Sequence, residues 1–180
     1  VHRDVKLGNV MVSSRFDAVY LIDWGCASFI NENMSSCAGS RTCRSPEMLL
    51  GCRRYGTGGD VWAVGAMIVD ILTEGNLPWK KATSQGVLIT LSEFFGSSGF
   101  KAIAETYKLK IDPETLSKMN NEPTKKLEDC FTERMKPLYT PKLKDLLESL
   151  LEVDPAKRIT IEDAMKAKYF FGSKKRKKKR

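Results

Sequence analysis

The chain has 180 residues, of which 42% are hydrophobic and 29% charged, a composition typical of one globular domain with its own core. The net charge is +8, but residues 174–180, KKRKKKR, hold seven of the 30 basic residues. The rest of the chain has 23 basic and 22 acidic residues, so its charge is not evidence that the globular part binds nucleic acid. The sequence contains no apolar run of eighteen residues, which argues against a membrane span. It has no CxxC pair and a single histidine, which argues against a zinc site.

The first predicted element is a β-hairpin. Two short apolar runs, NVMV and AVYLIDW, flank the polar segment SSRFD. Residues 25–44 follow without a sustained hydrophobic period, so we predict a long irregular segment there. Loops of this length inside a compact domain are usually functional.

Helices are predicted in the rest of the chain. SPEMLLG indicates one helical turn, and DVWAVGAMIVDILTEG, apolar nearly all round, predicts a helix capped by Asp60 and packed on every side. TPKLKDLLESLLEVDP predicts a helix capped by Thr140 with a leucine stripe. TIEDAMKAKYF predicts a helix that opens on a capping pair, Thr160 with Asp163. Residues 84–139 are mixed and predict one or two helices with long connections.

Three motifs occur in a fixed order: HRDVKLGN at 2–9, DWG at 23–25 and SPE at 45–47. This is the order of the catalytic loop, the magnesium-binding DFG and the APE motif of protein kinases. DVWAVG resembles the start of their central helix F. The chain therefore resembles the eukaryotic protein kinases over nearly its whole length. The resemblance implies a protein-kinase-like α+β fold in which residues 1–171 are the C-terminal lobe, mainly α-helical with one short β-hairpin carrying the catalytic and metal-binding loops.

The resemblance also implies which residues carry the chemistry. Asp4 takes or orients the proton of the substrate hydroxyl, and Lys6 reaches the transferring γ-phosphate of ATP as a point charge. Asn9 and Asp23 hold Mg²⁺, which prefers hard oxygen ligands and phosphate oxygens. Met11 belongs to the apolar floor under the adenine. The expected ATP site is therefore formed by Lys6, Asn9, Met11 and Asp23.

A second group is expected to be structural rather than catalytic. Its members hold three parts in place: the catalytic loop, helix F and the activation segment, which runs from the DWG motif to the SPE motif. In the family, the arginine of DPAKRIT pairs with the glutamate of APE. The glycine of DWG is expected to let the backbone turn sharply after the metal ligand. The group comprises His2, Arg3, Trp24, Gly25, Glu47, Asp60 and Arg158.

The tryptophan of LIDWG narrows the resemblance, since most kinases have phenylalanine there. DWG, GSRTCRSPE and the insert YKLKIDPETLSKM resemble the casein kinase II catalytic (alpha) subunits of the CMGC group. This implies Ser/Thr kinase activity on protein substrates with nearby acidic residues, a regulatory subunit as partner, and activity that does not depend on phosphorylation of the activation segment.

The resemblance to casein kinase II also implies that Arg41 and Arg44 line the groove for the substrate residue just after the target, where they would select acidic residues. Arginine suits this role because it pairs with carboxylates bidentately. Anchoring of the activation segment by Arg41 is an equal alternative. Cys37 stands where casein kinase II would offer another basic residue, which points to a weaker or differently placed acidic preference.

The Gly-rich loop, the strand lysine and its glutamate partner precede the catalytic loop in kinases, and this sequence contains none of them. The helix that in kinases runs just before the catalytic loop and packs against helix F is also missing from this sequence. We therefore expect the chain to be a fragment of a longer kinase that, alone, binds ATP poorly, transfers no phosphate at a useful rate and exposes part of helix F. Two alternatives stay open. One is a truncated, non-catalytic scaffold or interaction module, and the other is a different CMGC kinase of the cyclin-dependent or MAP-kinase type.

Residues 172–180 form a basic tail that we expect to be disordered, because like charges repel and nothing apolar can be buried. The tail could bind an import receptor or polyanions. The alternative is that it only increases solubility. With reduced thiols, the expected location is the nucleus, the cytoplasm or both, without a membrane partner.

Overall fold

The structure is a computed structural model that describes residues 1–171, so the predicted basic tail lies outside the described residues. The described part is mainly helical with one two-stranded sheet, as the sequence predicts. None of the helices in this part is long and apolar enough to span a membrane. The helices are α1 (Pro46–Leu49), α2 (Gly58–Leu72), α3 (Ser84–Phe95), α4 (Ser98–Thr106), α5 (Pro113–Lys118), α6 (Pro141–Leu150) and α7 (Ile161–Ala164).

The predicted hairpin is confirmed. Strands β1 (Val10–Val12) and β2 (Val19–Leu21) pair antiparallel, with Met11 opposite Tyr20. The hairpin follows a 3₁₀ turn at Leu7–Asn9, and just beyond β2 the amide of Ile22 donates to the carbonyl of Asn9 at 2.9 Å. The two loops that carry the first motifs are therefore joined at the base of one hairpin.

Helix α2 is the centre of the core. Trp62, Ala66 and Val69 are fully buried on it, and they pack with residues of α3, α4 and α6 that include Leu91, Phe100 and Leu147 at the same depth. Large apolar side chains at such positions each contribute several kcal/mol, since truncating a buried Leu or Phe to Ala costs about 2–5 kcal/mol.

The start of α2 differs from the prediction. The helix begins at Gly58 after Thr57, so Asp60 lies in its first turn and is not the N-cap. One face of α2 is open, which differs from the predicted packing on every side and agrees with the expected exposure of part of helix F. Val64, Ile68 and Ile71 line an open apolar groove of about 420 Å³, and Ile71 is exposed.

The remaining helices follow the sequence signals with one shortening. The Thr140 hydroxyl caps α6 by accepting from the Leu143 amide at 3.3 Å, and Thr160 caps α7 by accepting from the Asp163 amide at 3.2 Å. Helix α7 is only one turn long, shorter than the predicted segment. Residues 84–139 form three α-helices and two 3₁₀ turns rather than one or two helices.

Candidate active site

The carboxylate of Asp4 is the centre of the site. It is buried, and its Oδ2 accepts from Lys6 Nζ at 2.8 Å and from Asn9 Nδ2 at 3.1 Å. Its Oδ1 accepts from both the amide and the hydroxyl of Ser40, each at 2.8 Å. A carboxylate offers about four lone-pair positions, so four donors occupy all of them.

The hydrogen bonds to the Asp4 carboxylate determine the charges of Asp4 and Lys6. Burial disfavours the charged form of Asp4, but the hydrogen bonds from Lys6 and Ser40 outweigh it and lower the pKa of the carboxyl below its ordinary value. The hydrogen bond to Asp4 raises the pKa of Lys6, and the nearby charge of Asp23 acts in the same direction. Asp4 is therefore a carboxylate and Lys6 an ammonium at neutral pH.

Helix α2 holds the catalytic loop, residues 2–9, through the side chain of Asp60. The Asp60 carboxylate accepts the amides of His2 and Arg3, each at 2.7 Å. Nδ1 of His2 accepts from the Asp4 amide at 3.3 Å, so the other ring nitrogen carries the proton that is donated to the Ile22 carbonyl at 3.1 Å. The Arg3 side chain donates to the Cys26 carbonyl. This placement explains the false N-cap signal, because the carboxylate of Asp60 binds another segment instead of its own helix.

The DWG segment turns in a different way from the prediction. Asp23 itself adopts the left-handed conformation, with φ of 62°, whereas Gly25 lies in the 3₁₀ turn Trp24–Cys26 that follows. The Gly25 amide donates to Asp23 Oδ1 at 3.3 Å. Aspartate tolerates the left-handed region better than most residues, so the sharp turn belongs to Asp23 and not to the glycine. Trp24 is 63% exposed and packs edge-on against His2, with ring centroids 4.9 Å apart.

The predicted ATP-site residues besides Lys6 are Asn9, Asp23 and Met11. Asn9 donates through Nδ2 to the Asp4 side chain and carbonyl, which leaves its Oδ1 available as an acceptor. Asp23 is exposed and close enough to influence Lys6. Met11 lies on β1 and is 53% exposed. An amide oxygen, a carboxylate and an ammonium suit a divalent cation with its phosphate ligands.

This donor set differs from an all-protein metal cage. Within residues 1–171 there is no group of three or more histidine, cysteine, aspartate or glutamate side chains that could hold a metal. Mg²⁺ is commonly bound through one or two protein oxygens plus phosphate oxygens, so the predicted pair of Asn9 and Asp23 fits Mg²⁺ carried by a nucleotide.

The activation segment is tied to the catalytic loop by residues that sequence reasoning missed. Ser40 binds Asp4, and the preceding Gly39 has φ of 66°. A Cβ atom at Gly39 would lie 1.9 Å from the Arg3 carbonyl oxygen, so only glycine fits there. The short sequence GS between irregular residues carried no periodic signal that would have identified either residue.

The two candidate substrate-binding arginines have different surroundings. The Arg44 guanidinium donates to the carbonyls of Ala38 and Gly39, each at 2.9 Å, and to that of Cys37. Arg44 is thus the anchor of the activation segment, and its role toward substrates stays a prediction. Arg41 is exposed in the 3₁₀ turn Arg41–Cys43, and its side chain has no hydrogen bond or ion pair within the described residues.

The structure pairs Glu47 with Arg158 as the resemblance implies. Nη1 and Nη2 of Arg158 donate to the two Glu47 oxygens at 2.9 and 3.0 Å, and both side chains are buried. The remaining donors bind the carbonyls of Gly58, Glu152 and Val153. All five N–H groups are therefore satisfied, which a buried guanidinium requires.

Comparison with known protein families adds one finding. A family model described as "Protein kinase domain" matches residues 1–170 of the chain. The match spans the described elements from β1 to α7 and includes the HRDVKLGN, DWG and SPE motifs.

Proposed function

Because the chain belongs to the protein kinase domain family, we propose that the protein transfers the γ-phosphate of ATP to serine or threonine in proteins, preferring sites beside acidic residues. Protein kinases are phosphotransferases that use ATP and Mg²⁺ in general. The observation that carries the proposal is the buried Asp4 carboxylate with Lys6, Asn9 and Ser40 bound to it. The resemblance to casein kinase II catalytic subunits supports the finer specificity.

Asn9 Oδ1 and the Asp23 carboxylate are the protein oxygens that would hold Mg²⁺. Bound Mg²⁺ supplies neutralisation of the charge on the phosphate oxygens. Lys6 Nζ donates to Asp4 Oδ2 at 2.8 Å, and the pKa of Lys6 is raised by this hydrogen bond and, more weakly, by the charge of Asp23. The ammonium therefore lies near both carboxylates of the proposed site.

A substrate hydroxyl must replace one of the four donors on Asp4. Asn9 is buried and also holds the Asp4 carbonyl, and Ser40 is fixed by its own backbone amide bond. The side chain of Lys6 is 36% exposed and has a flexible stem, so Lys6 is the donor that leaves most easily. On leaving, it carries its charge toward the transferring phosphoryl group.

Asp4 then orients the hydroxyl more than it deprotonates it. A carboxylate with a lowered pKa is a weak base, so it removes little of the proton before the transition state. It accepts a hydrogen bond from the hydroxyl, directs the oxygen toward phosphorus and takes the proton late. Positioning of this kind is the main protein contribution to phosphoryl transfer.

Arg41 supports the acidic preference. It follows Ser40 directly in the chain, so it is adjacent to the residue that contacts the catalytic carboxylate. Its guanidinium is exposed and has no carboxylate partner within the described residues. Arginine presents a planar pair of donors that matches a carboxylate, so an acidic residue near the target serine or threonine suits this position.

A peptide panel tests the proposal. The protein as cells produce it is incubated with ATP, Mg²⁺ and peptides that carry one serine, threonine or tyrosine among acidic, neutral or proline-containing neighbours. We expect the highest kcat/KM for serine or threonine with acidic neighbours. A preference for proline-directed peptides would favour a cyclin-dependent or MAP-kinase type instead. A lack of transfer to every peptide would favour the scaffold alternative.

A further inference from the structure

The loop between α2 and α3 is fixed against the turn that carries Arg41. Trp79 in this loop is fully buried, and its indole Nε1 donates to the carbonyl of Thr42 at 2.9 Å. Trp79 also packs edge-on against Phe94, with ring centroids 6.1 Å apart. A buried tryptophan with its N–H satisfied is a rigid anchor, so the residues next to it have a defined position.

Lys80 and Lys81 follow this anchor directly, and both are exposed. Neither forms an ion pair within the described residues, unlike seven other lysines of the same part of the chain: Lys6, Lys118, Lys125, Lys136, Lys144, Lys157 and Lys166. Arg41, Lys80 and Lys81 are thus three exposed positive charges without an ion pair within the described residues, on two segments that the Trp79–Thr42 hydrogen bond joins. Burial and, to a smaller degree, the charge of Asp70 on α2 raise the pKa of Cys43, so one carboxylate also lies near the turn that carries Arg41.

We infer that Lys80 and Lys81 form an acid-binding subsite of the substrate groove, which acts with Arg41 to select an acidic side chain several residues from the target hydroxyl. The inference rests on the proposed function and extends it to a part of the molecule outside the catalytic and activation segments. The expected ligand is the carboxylate of an aspartate or glutamate in an extended substrate segment.

The reach of a peptide agrees with this assignment. Ser40 contacts Asp4, and Thr42 is two residues further on. Consecutive Cα atoms are about 3.8 Å apart, so the path from Ser40 through Thr42 and the Trp79 side chain to Lys80 is at most about 20 Å. An extended peptide advances about 3.3 Å per residue, so about six residues cover this distance. The flexible lysine side chains extend toward the peptide, so a shorter peptide segment also reaches them.

The expected strength follows from exposure. Exposed ion pairs contribute little, so we expect the loss of one lysine to weaken binding about threefold and the loss of both lysines about tenfold. The effect should weaken with salt, because the screening length falls from about 10 Å at 0.1 M to about 3 Å at 1 M ionic strength. Such a contribution tunes substrate choice without affecting the phosphate transfer itself.

The test uses the protein as cells produce it and peptides with one serine in an alanine background. One aspartate is placed in turn at each of six positions on either side of the serine. In the K80A/K81A variant we expect kcat/KM for the best aspartate peptide to fall about tenfold, through KM, and the all-alanine peptide to be unaffected. K80E/K81E should reverse the preference. The matched control K110A/K126A removes two exposed lysines that also have no ion pair within the described residues, and it should match the wild type.

The result that overturns the inference is an unchanged aspartate preference in both lysine variants. A wild type without any phosphotransfer would contradict the proposed function and not, by itself, the subsite. In that case the affinity of a fluorescent form of each aspartate peptide decides. Weaker binding to K80A/K81A than to K110A/K126A supports the subsite, and equal binding or no binding to the wild type contradicts it.

Discussion

Asp4 illustrates how a buried charge is kept in place by its neighbours. An isolated carboxylate at this depth would be costly to ionise, but Lys6, Asn9 and Ser40 donate to it and make the charged form the stable one. The same donors fix the direction of both oxygens. In the proposed function, the geometry that a substrate hydroxyl meets is therefore set before the substrate arrives.

The prediction for a single residue concerns Ser40. If Lys6 is the donor that the substrate hydroxyl replaces, Ser40 keeps orienting Asp4 during the reaction. Removing its hydroxyl in Ser40→Ala should lower kcat about 10- to 150-fold, since a hydrogen bond to a charged group is worth about 1.5–3 kcal/mol. The comparison is made by steady-state kinetics on an acidic serine peptide. Ser40→Thr keeps the hydroxyl and should remain active, whereas a faster Ser40→Ala enzyme would mean that Ser40, not Lys6, is displaced.

The activation segment is ordered by backbone contacts without any phosphate. Arg44 binds the carbonyls of residues 37–39, and the Tyr55 hydroxyl donates to the Ser35 carbonyl. Gly39 lets the segment approach the catalytic loop to within contact distance of Arg3. The expectation of activity without loop phosphorylation remains a prediction, and these contacts give it a physical basis.

Gly39→Ala tests this close approach. The added methyl would lie 1.9 Å from the Arg3 carbonyl oxygen, so the segment must move away and Ser40 must leave Asp4. We expect loss of most kinase activity, measured as phosphate transfer to an acidic peptide. The matched control is Gly51→Ala, since Gly51 also has a positive φ, 89°, but nothing within 4 Å of its added methyl. Equal activity of the two variants would contradict the proposed packing.

At the scale of the whole molecule, one ion pair joins distant parts of the chain. Glu47 of α1 and Arg158, which precedes α7, are 111 residues apart, and Arg158 also binds the Gly58 carbonyl at the start of α2. Its guanidinium carbon lies 5.2 Å from the ring centroid of Trp62 in the core. The pair therefore connects the end of the activation segment to the central helix and to the C-terminal helices.

Glu47→Gln should destabilise the entire domain. It leaves the buried Arg158 charge without its counterion, a change that typically costs about 3–5 kcal/mol. The free energy of unfolding in urea measures the loss. Glu114→Gln is the control, because Glu114 pairs with Lys118 on the exposed surface of α5 and such a pair is worth less than about 1 kcal/mol. Similar losses for the two variants would contradict the structural role of the buried pair.

Much of this organisation could be predicted from the sequence because it depends on local patterns. The hairpin, the caps Thr140 and Thr160, and the order of the kinase motifs are readable within windows of a few residues. The partner of Glu47 followed from the family resemblance. These features need no knowledge of how distant segments pack.

The parts that could not be predicted depend on contacts between distant segments. Asp60 looks like an N-cap, yet its carboxylate binds the amides of His2 and Arg3, some 58 residues away. Ser40 meets Asp4 only because Gly39 allows two loops to touch. Irregular segments carry no period that reveals such contacts, so these contacts of Asp60, Gly39 and Ser40 could be found only in the structure.

The measurement that tests the central claim most directly is phosphate transfer from γ-labelled ATP to an acidic serine peptide by the protein as cells produce it and by its Asp4→Asn variant. Asparagine keeps the size of the side chain but removes the charge that accepts from the substrate hydroxyl. We predict transfer by the wild type and a loss of about 10²–10⁴-fold in the variant, with the thermal unfolding midpoint measured in parallel to show that the variant is folded. Equal transfer by both proteins would contradict the assignment of Asp4 and with it the account of the site.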